Sequence, residues 1–413
     1  MISVAKLNGS FQLCEKPDFD WSLWYEGEFQ AGFEKWIEQN IGFRPLFVNI
    51  YNQYRFSFFN QVSAVNTFVG KNNVLYQTSY LNSYMGKNFI GSQEIKESVR
   101  KMKCVQDELH ENGKLFLYII APGKVSFFPE YLPDSIDIKE KDSSNYDVFS
   151  KELLLKNINH IDFRKFFIEA KDTSQYPLYP KTGTHWSGYG ITLVSDSILK
   201  YVESFSDIDF VDYTIKNGIV TNENLRHTDE DIEKGINLAF NITDWDMFYP
   251  ELEFGDTLGK DLPTLLDIGD SYNQSFWGFY PFFQTVFSND SRFWYYYKTE
   301  SWPGVDDISP SPMIHRNLRE EIDKCDVIMI VATEANLYLK GYGFIEDAYL
   351  RLTDEGRDIQ EELEKEIKSY LRRIRNSPDW LKSIKDRAKA RDIGVDEMMR
   401  LEAKWMIHKK SKK

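Results

Sequence analysis

Thr264-Leu265-Leu266-Asp267-Ile268-Gly269-Asp270-Ser271-Tyr272 is the stretch on which the reading of this chain turns. It is entered from Pro263, runs apolar except for Asp267, and stops at Gly269. A short apolar run bounded in this way reads as a strand buried on both faces, the kind found in parallel sheets. A helix is predicted over 272–287, which puts Ser271 at its start. In an open α/β sheet, ligands gather beyond the carboxyl ends of the strands. The unpaired N–H groups at a helix start can stabilise an oxyanion. Serine is equally at home there as a simple N-cap, so Ser271 by itself supports both a structural and a nucleophilic role.

Working outward, the same grammar recurs. A helix over 92–111 ends at Asn112-Gly113 and is followed by the apolar run Leu115-Phe116-Leu117-Tyr118-Ile119-Ile120, which Pro122-Gly123-Lys124 closes. Strands are predicted at 74–76, 159–163, 264–268, 293–297 and 327–331, with a further helix at 186–203. Helix, strand and loop in alternation predict an α/β fold with a mostly parallel central sheet. Residues 1–20 read as a lead-in. Between Trp21 and Phe59 the chain reads as two aromatic-rich helices, with Phe29, Phe33, Trp36 and Ile37 at helical spacing and a break at Gly42 and Pro45. Residues 205–260 are acidic, carry strand-like fragments such as 237–242, and read as a β-rich insertion. After Gly356, Ile359, Leu363, Ile367, Tyr370, Leu371 and Ile374 mark one helical face. Ser377-Pro378 then opens another helix, with serine as N-cap. The boundaries expected are 1–20, 21–349 with the insertion at about 205–260, and a helical extension over 350–413.

A second motif, Lys181-Thr182-Gly183-Thr184-His185-Trp186-Ser187, sets a histidine in a turn before a helix. An imidazole titrates near neutrality and suits a general base for serine. Packed by Trp186, it also suits a structural histidine. The other five histidines, His110, His160, His227, His315 and His408, lie in no motif. Lys124 closes the first strong strand and Asn336 follows the last one. Both sit where they can reach the Ser271 end of the sheet, although a surface lysine and a turn-closing asparagine are ordinary uses of those residues.

Bulk properties narrow the classes. The 413 residues carry a formal net charge of −14, which disfavours nucleic acid as a partner. The basic end, 408–413, reads as a solvated tail. Aromatic residues make up 15 % of the chain, more than core packing alone requires. The three cysteines, Cys14, Cys104 and Cys325, match no zinc spacing, and no cofactor or metal motif is present. Cys325 precedes an apolar strand and reads as a core residue. No run reaches the roughly 18 apolar residues of a membrane helix, and the first residues do not read as a signal peptide. An anchor ahead of the sequence stays open.

Gly269-Asp270-Ser271-Tyr272 resembles the serine block of SGNH/GDSL-type hydrolases. With Thr182-Gly183-Thr184-His185-Trp186 placed ahead of it, the order is similar to that of the alginate O-acetyltransferase subfamily, in which the two blocks are permuted. Asn40-Ile41-Gly42-Phe43-Arg44 resembles that subfamily's N-terminal block. Ala121-Pro122-Gly123-Lys124 with Phe128-Pro129-Glu130-Tyr131-Leu132-Pro133 resembles another. The resemblance spans about 21–349 and implies a three-layer α/β/α sandwich.

It further implies an O-acetyltransferase with Ser271 as nucleophile and His185 as general base. The Ser271 N–H and a second donor such as Asn336 would form the oxyanion hole, with Lys124 nearby and Trp186, Tyr272, Trp277 and Tyr189 suited to stacking on sugars. The implied acceptor is a cell-surface or exported polysaccharide, with the acetyl donor delivered by a membrane-bound acyltransferase. The implied setting is the periplasm or cell surface, with membrane anchoring through a segment absent from this sequence. One position departs from the pattern. The subfamily has Asp two residues before the histidine, where this chain has Gly183. Three readings follow. The acid comes from elsewhere, with Asp162, Asp172 and Glu334 as candidates; or a Ser–His dyad operates; or the protein binds glycan without catalysis, as a scaffold in an export complex. A carbohydrate acetylesterase would use the same Ser271 and His185.

Overall fold

The computed structural model describes residues 7–8, 14–138, 142–302 and 316–411. The expectations for the first six residues, for His315 and for the last two lysines lie outside these. Ten strands occur among the described residues. They are β1 (Thr67–Val69), β2 (Leu75–Gln77), β3 (Leu115–Ala121), β4 (His160–Asp162), β5 (Tyr213–Thr221), β6 (Met247–Phe254), β7 (Leu265–Gly269), β8 (Arg292–Tyr295), β9 (Thr299–Ser301) and β10 (Val327–Thr333). Six form the central sheet in the order β4-β3-β10-β7-β8-β9. The first five of that order run parallel, and β9 pairs antiparallel at the edge.

The apolar runs of β3, β7 and β10 are continuous because both faces of the sheet are covered. Alternate residues serve different cores. Leu117, Ile119, Met329 and Val331 join Leu265 on one face, against the helix Gly188–Phe205. Phe116, Tyr118, Ile120, Ile328 and Ile330 join Leu266 and Ile268 on the other. There the helices Ser92–Glu111, Asn145–Leu155 and Phe344–Leu352 pack. The result is an α/β fold of three layers with a mixed, largely parallel sheet. Register aligns Gly269 with Val331 and Tyr295, and Ala121 with Thr333. The loops after β3, β7, β8 and β10 therefore emerge along a single edge.

Several local expectations change. The segment 272–287 is not one helix. It holds a turn and two short helices, Ser275–Gly278 and Phe282–Val286, because Pro281 has no N–H to continue the ladder. The aromatic strand stops at Tyr295, since Tyr296 and Tyr297 both turn into the left-handed region. The aromatic lead is three helices, Trp21–Glu26, Glu28–Asn40 and Arg44–Phe59. The extra break is Gly27, at φ 84°. These helices leave Trp21, Tyr25, Phe43, Phe47 and Phe58 exposed, which is where much of the aromatic excess resides.

In the insertion, 237–242 forms no strand; its apolar residues pack Leu238 and Ile242 against a small satellite core instead. The strands there are β5 and β6, an antiparallel pair. Beyond it lies the extension, with helices Asp354–Arg375, Pro378–Arg391 and Val395–Ser411. Ser377 holds the N-cap position before Pro378, though its side chain makes no capping bond. Cys325 is buried, as expected.

Ile330 is fully buried in β10, between β3 and β7. Ile330→Ala should cost about 2–5 kcal/mol. A lowered midpoint in chemical denaturation would show it, and an unchanged midpoint would contradict the central place given to β10.

Candidate active site

β7 delivers its last residues to the carboxyl edge of the sheet, and the chain turns at once. A side chain at Gly269 would collide with Asn273, whose Oδ1 lies 2.3 Å from where a Cβ would sit. A larger residue there would have to displace the Asn273 amide from its place over the strand. Asn273 Nδ2 donates to Asp267 Oδ1 at 2.6 Å, tying the turn to the strand beneath. Asp270 fastens it sideways. Its Oδ1 accepts the Tyr272 N–H at 3.1 Å, and its Oδ2 accepts Thr333 Oγ1, Asn336 Nδ2 and Tyr342 Oη at 2.9, 2.7 and 2.9 Å. Ser271 is left at the crest, half-buried. Its backbone N–H makes no hydrogen bond among the described residues. The expected helix start lies four residues further on, at Ser275, so Ser271 is not its N-cap.

The loop 181–185 brings the histidine. His185 Nε2 is 2.9 Å from Ser271 Oγ. Two contacts lock the loop to the serine turn. Tyr272 Oη donates to the Thr184 carbonyl at 2.8 Å, and Trp186 Nε1 donates to Ser275 Oγ at 2.6 Å. The Tyr272 ring also lies 4.7 Å from the imidazole, centroid to centroid. Trp186 and Tyr272 are wholly buried, so neither is available to stack on a sugar.

At the other ring nitrogen stands a carboxylate that the sequence reading did not select. Asp231 Oδ2 is 2.9 Å from His185 Nδ1, and its Oδ1 accepts the Thr184 N–H at 2.8 Å. Asp231 opens the short helix Asp231–Ile236 inside the insertion. None of the three expected acids touches His185. Asp162 accepts from Tyr146 Oη and from the Lys165 N–H, as the cap of the helix Phe163–Ala170. Asp172 is exposed on a turn. Glu334 is buried on the Gly123 N–H and Ser126, and pairs with Arg164 at 3.2 Å.

Gly183 explains the exchange. A Cβ there would lie 2.5 Å from the Thr228 carbonyl oxygen and 2.7 Å from that of Asp229. Any side chain, aspartate included, would push the 228–231 segment off the loop. The glycine admits that backbone, and the backbone carries Asp231 to the imidazole. In the sequence Asp231 is one of several acids in an acidic run, and the only local hint was a glycine that needed a reason.

Three further groups clamp the loop. Asp244 accepts the Lys181 and Thr182 N–H groups at 2.9 and 3.1 Å, and Thr182 Oγ1 at 2.8 Å. The Thr182 hydroxyl also lies 3.1 Å from the Asp229 carbonyl. Lys124 is not a surface lysine. It is buried below the loop, and its Nζ donates to the Lys181 and Gly183 carbonyls at 2.9 and 2.7 Å. Burial pushes its ammonium down to about 7, against the pull of Asp244, Asp231 and Asp229. Its contacts are to the His185 loop, so it holds that loop in place without reaching Ser271 itself. Asn336 is also committed: Nδ2 donates to Asp270 and to Tyr296 Oη at 3.3 Å, so in this arrangement it braces the turn and does not point an N–H at an oxyanion. Among the described residues no cluster of side chains could hold a metal ion. A cavity of about 580 Å³ lined by Lys114, Asp261, Pro263 and Asp326 opens at the amino-terminal ends of β3, β7 and β10, the edge opposite Ser271.

Residues 68–226 match the family described as SGNH hydrolase-like domain, acetyltransferase AlgX. The span includes Lys124 and His185; Asp231 and Ser271 fall beyond it. The match covers less than half of the chain, and over those residues the chain is similar to SGNH hydrolase-like domains. No curated protein matches it. Among solved structures it is similar to the O-acetyltransferase domain of Pseudomonas putida AlgJ, at 15% identity and a TM-score of 0.44, over 69% of this chain and 99% of that one. It is also similar to Pseudomonas aeruginosa AlgX, at 13% identity and a TM-score of 0.41, over 68% of this chain and 67% of that one. A third likeness is to Bacillus cereus PatB1, at 13% identity and a TM-score of 0.36, over 60% of this chain and 91% of that one.

Two predictions follow from the geometry. If Asp231 orients the imidazole, Asp231→Asn should lower turnover by about 10⁴ in single-turnover acylation. Adding Gly183→Asp to that variant should not restore it, because the new side chain has no room. Recovery of activity in the double variant would count against this account. The second concerns Asp267, wholly buried with Oδ2 unpartnered. Burial pushes its carboxyl up to about 8, with the Asn273 hydrogen bond opposing and the Asp270 charge adding. The fold therefore holds this proton more tightly than the unfolded chain, where aspartate titrates near ~4. The stability this gives is complete below about pH 4 and is lost as pH rises toward 8. Asp267→Asn should flatten that decline in a series of denaturation midpoints. An identical pH slope in both proteins would refute it.

Proposed function

We propose that this protein is an O-acetyltransferase that moves an acetyl group through Ser271 to hydroxyls of a cell-surface or exported polysaccharide. One observation carries the reading: the chain of hydrogen bonds Ser271 Oγ–His185 Nε2 and His185 Nδ1–Asp231 Oδ2, each 2.9 Å, on the carboxyl edge of a parallel sheet. Asp231 fixes the tautomer that leaves Nε2 free to accept a proton, and it balances the imidazolium that then forms. The Ser271 oxygen attacks the donor's acetyl carbon as His185 takes its proton. The tetrahedral oxygen is within the reach of the unpaired Ser271 N–H. Collapse expels the donor's leaving group, which takes the proton back from His185, and leaves an acetyl ester on Ser271. A sugar hydroxyl then repeats the sequence, giving its proton to His185 and restoring the serine.

The reading assigns this chemistry to residues 21–349, with the insertion supplying the acid and 350–413 supplying no group of the site. The presence of a carboxylate at His185 favours an active enzyme over a glycan-binding scaffold. The setting in the periplasm or at the cell surface, beside a membrane-bound acyltransferase that delivers the acetyl group, is supported by the resemblance of the motif blocks.

The test is acetate release from a chromogenic acetyl ester, with and without an oligosaccharide acceptor. Wild type should form an acetyl-enzyme at Ser271, detectable by intact mass, and Ser271→Ala should form none. Acceptor should divert the acetyl group to sugar. Acetate release indifferent to acceptor would replace the transferase with an acetylesterase on the same residues. No acyl-enzyme at all would end both readings.

A further inference from the structure

The transferase reading requires somewhere for the acceptor to lie, and Trp186 and Tyr272 beside the motif are sealed in the core, while Tyr189 and Trp277 keep only part of their surface open. A cleft of about 440 Å³ opens elsewhere, between residues 127–131, the turn 171–178 and Trp245. Its size suits a small-ligand site. Trp245 packs against Phe128 and Tyr131 with ring centroids 5.1 and 5.9 Å apart. Trp245 and Tyr131 remain only partly buried, so both keep surface open to the cleft. Lys171 lines it too. Its Nζ is fixed by the Phe127 carbonyl at 2.6 Å and by Glu130 Oε1 at 2.5 Å, above the rings of Phe127 and Phe128. The Glu130 side chain is 46% exposed, which leaves acceptor positions for a ligand.

Partly open rings beside a preset carboxylate–ammonium pair match a pyranose, which has an apolar C–H face and a rim of hydroxyls. Charge narrows the class further. In the cleft Lys171 is outnumbered by Glu130 and Asp172, and the whole chain carries a net −14. A polyanionic glycan would be repelled, and a neutral one would not.

The cleft also adjoins groups that hold the His185 loop. Trp245 follows Asp244, whose carboxylate holds the Lys181 and Thr182 N–H groups. Behind it, Tyr179 lies 5.2 Å from Phe127 by ring centroids, and its hydroxyl is 3.4 Å from that of Tyr272, the neighbour of the nucleophile.

We propose that this cleft is an acceptor subsite that takes a pyranose unit of a neutral glycan, a hexose or N-acetylhexosamine, stacked on Trp245 and Tyr131 and hydrogen-bonded to Glu130 and Lys171. The assignment rests on the acyl-transfer reading, but its test does not. Binding is measured by calorimetry on Ser271→Ala, with no acetyl donor present. The probes are hexasaccharides of β-1,4-glucose, of N-acetylglucosamine and of mannuronate. At least one neutral probe should bind, more tightly than the mannuronate. Trp245→Ala and Tyr131→Ala should each weaken it about three- to tenfold. Glu130→Gln, at an exposed position that cannot unfold the core, should weaken it as well. Thermal midpoints verify that the variants fold. Preference for mannuronate, absence of binding by both neutral probes, or affinity unchanged in Glu130→Gln and the aromatic variants would each overturn the proposal. Failure of the wild type to form an acetyl-enzyme is a separate result and bears on the function alone.

Discussion

Everything at the candidate site depends on one close approach. The backbone at 228–229 passes over Gly183 with no space for a side chain between them. That contact sets the position of Asp231, which grips both the Thr184 N–H and the His185 ring. The loop so held meets Ser271 at hydrogen-bond distance. A methyl group at residue 183 would strike two carbonyl oxygens, so the hydrogen-bonded chain from Asp231 through His185 to Ser271 hangs on the absence of a Cβ.

The surrounding polar groups serve the same end from different elements. Lys124 from the end of β3 takes the loop's carbonyls, and Asp244 from the insertion takes its N–H groups. Asp270, Thr333, Asn336 and Tyr342 do for the serine turn what these do for the histidine loop. Preorganisation of this kind matters because a base displaced by about 1 Å loses much of its advantage. Burying so many polar groups is tolerable only because nearly all are paired. Among the unpaired atoms, Asp267 Oδ2 and Asn273 Oδ1 lie together under the Ser271 turn, and Thr184 Oγ1, Thr228 Oγ1 and Asp229 Oδ1 lie at the His185 loop and the segment that covers it.

The parallel core was legible because its strands are buried on both faces, and such strands are spelled as uninterrupted apolar runs at 115–120, 264–268 and 327–331. His185 and Ser271 were legible as a pair because of the order of the motif blocks that carry them, since taken singly each suits a structural role as well. Other parts were not. Asp231 looks like Asp229 or Glu230 in the sequence; what singles it out is a neighbour 46 residues away. Lys124 reads as a surface residue unless the chain that covers it is known. Trp186 and Tyr272 read as sugar platforms, yet their rings are consumed by packing against the serine turn and the core. Asn336 reads as a free donor, yet Asp270 claims it.

The amino-acid order alone therefore settled the layering, the direction of the sheet and the two residues that meet at its edge. The first two follow from hydrophobic periodicity and from where glycine and proline interrupt it, and the third from the order of the motif blocks around Ser271 and His185. It could not settle the partner of the imidazole or the fate of the polar side chains around it. Those are fixed by which distant backbone fills the space above Gly183, and local spacing carries no record of that contact.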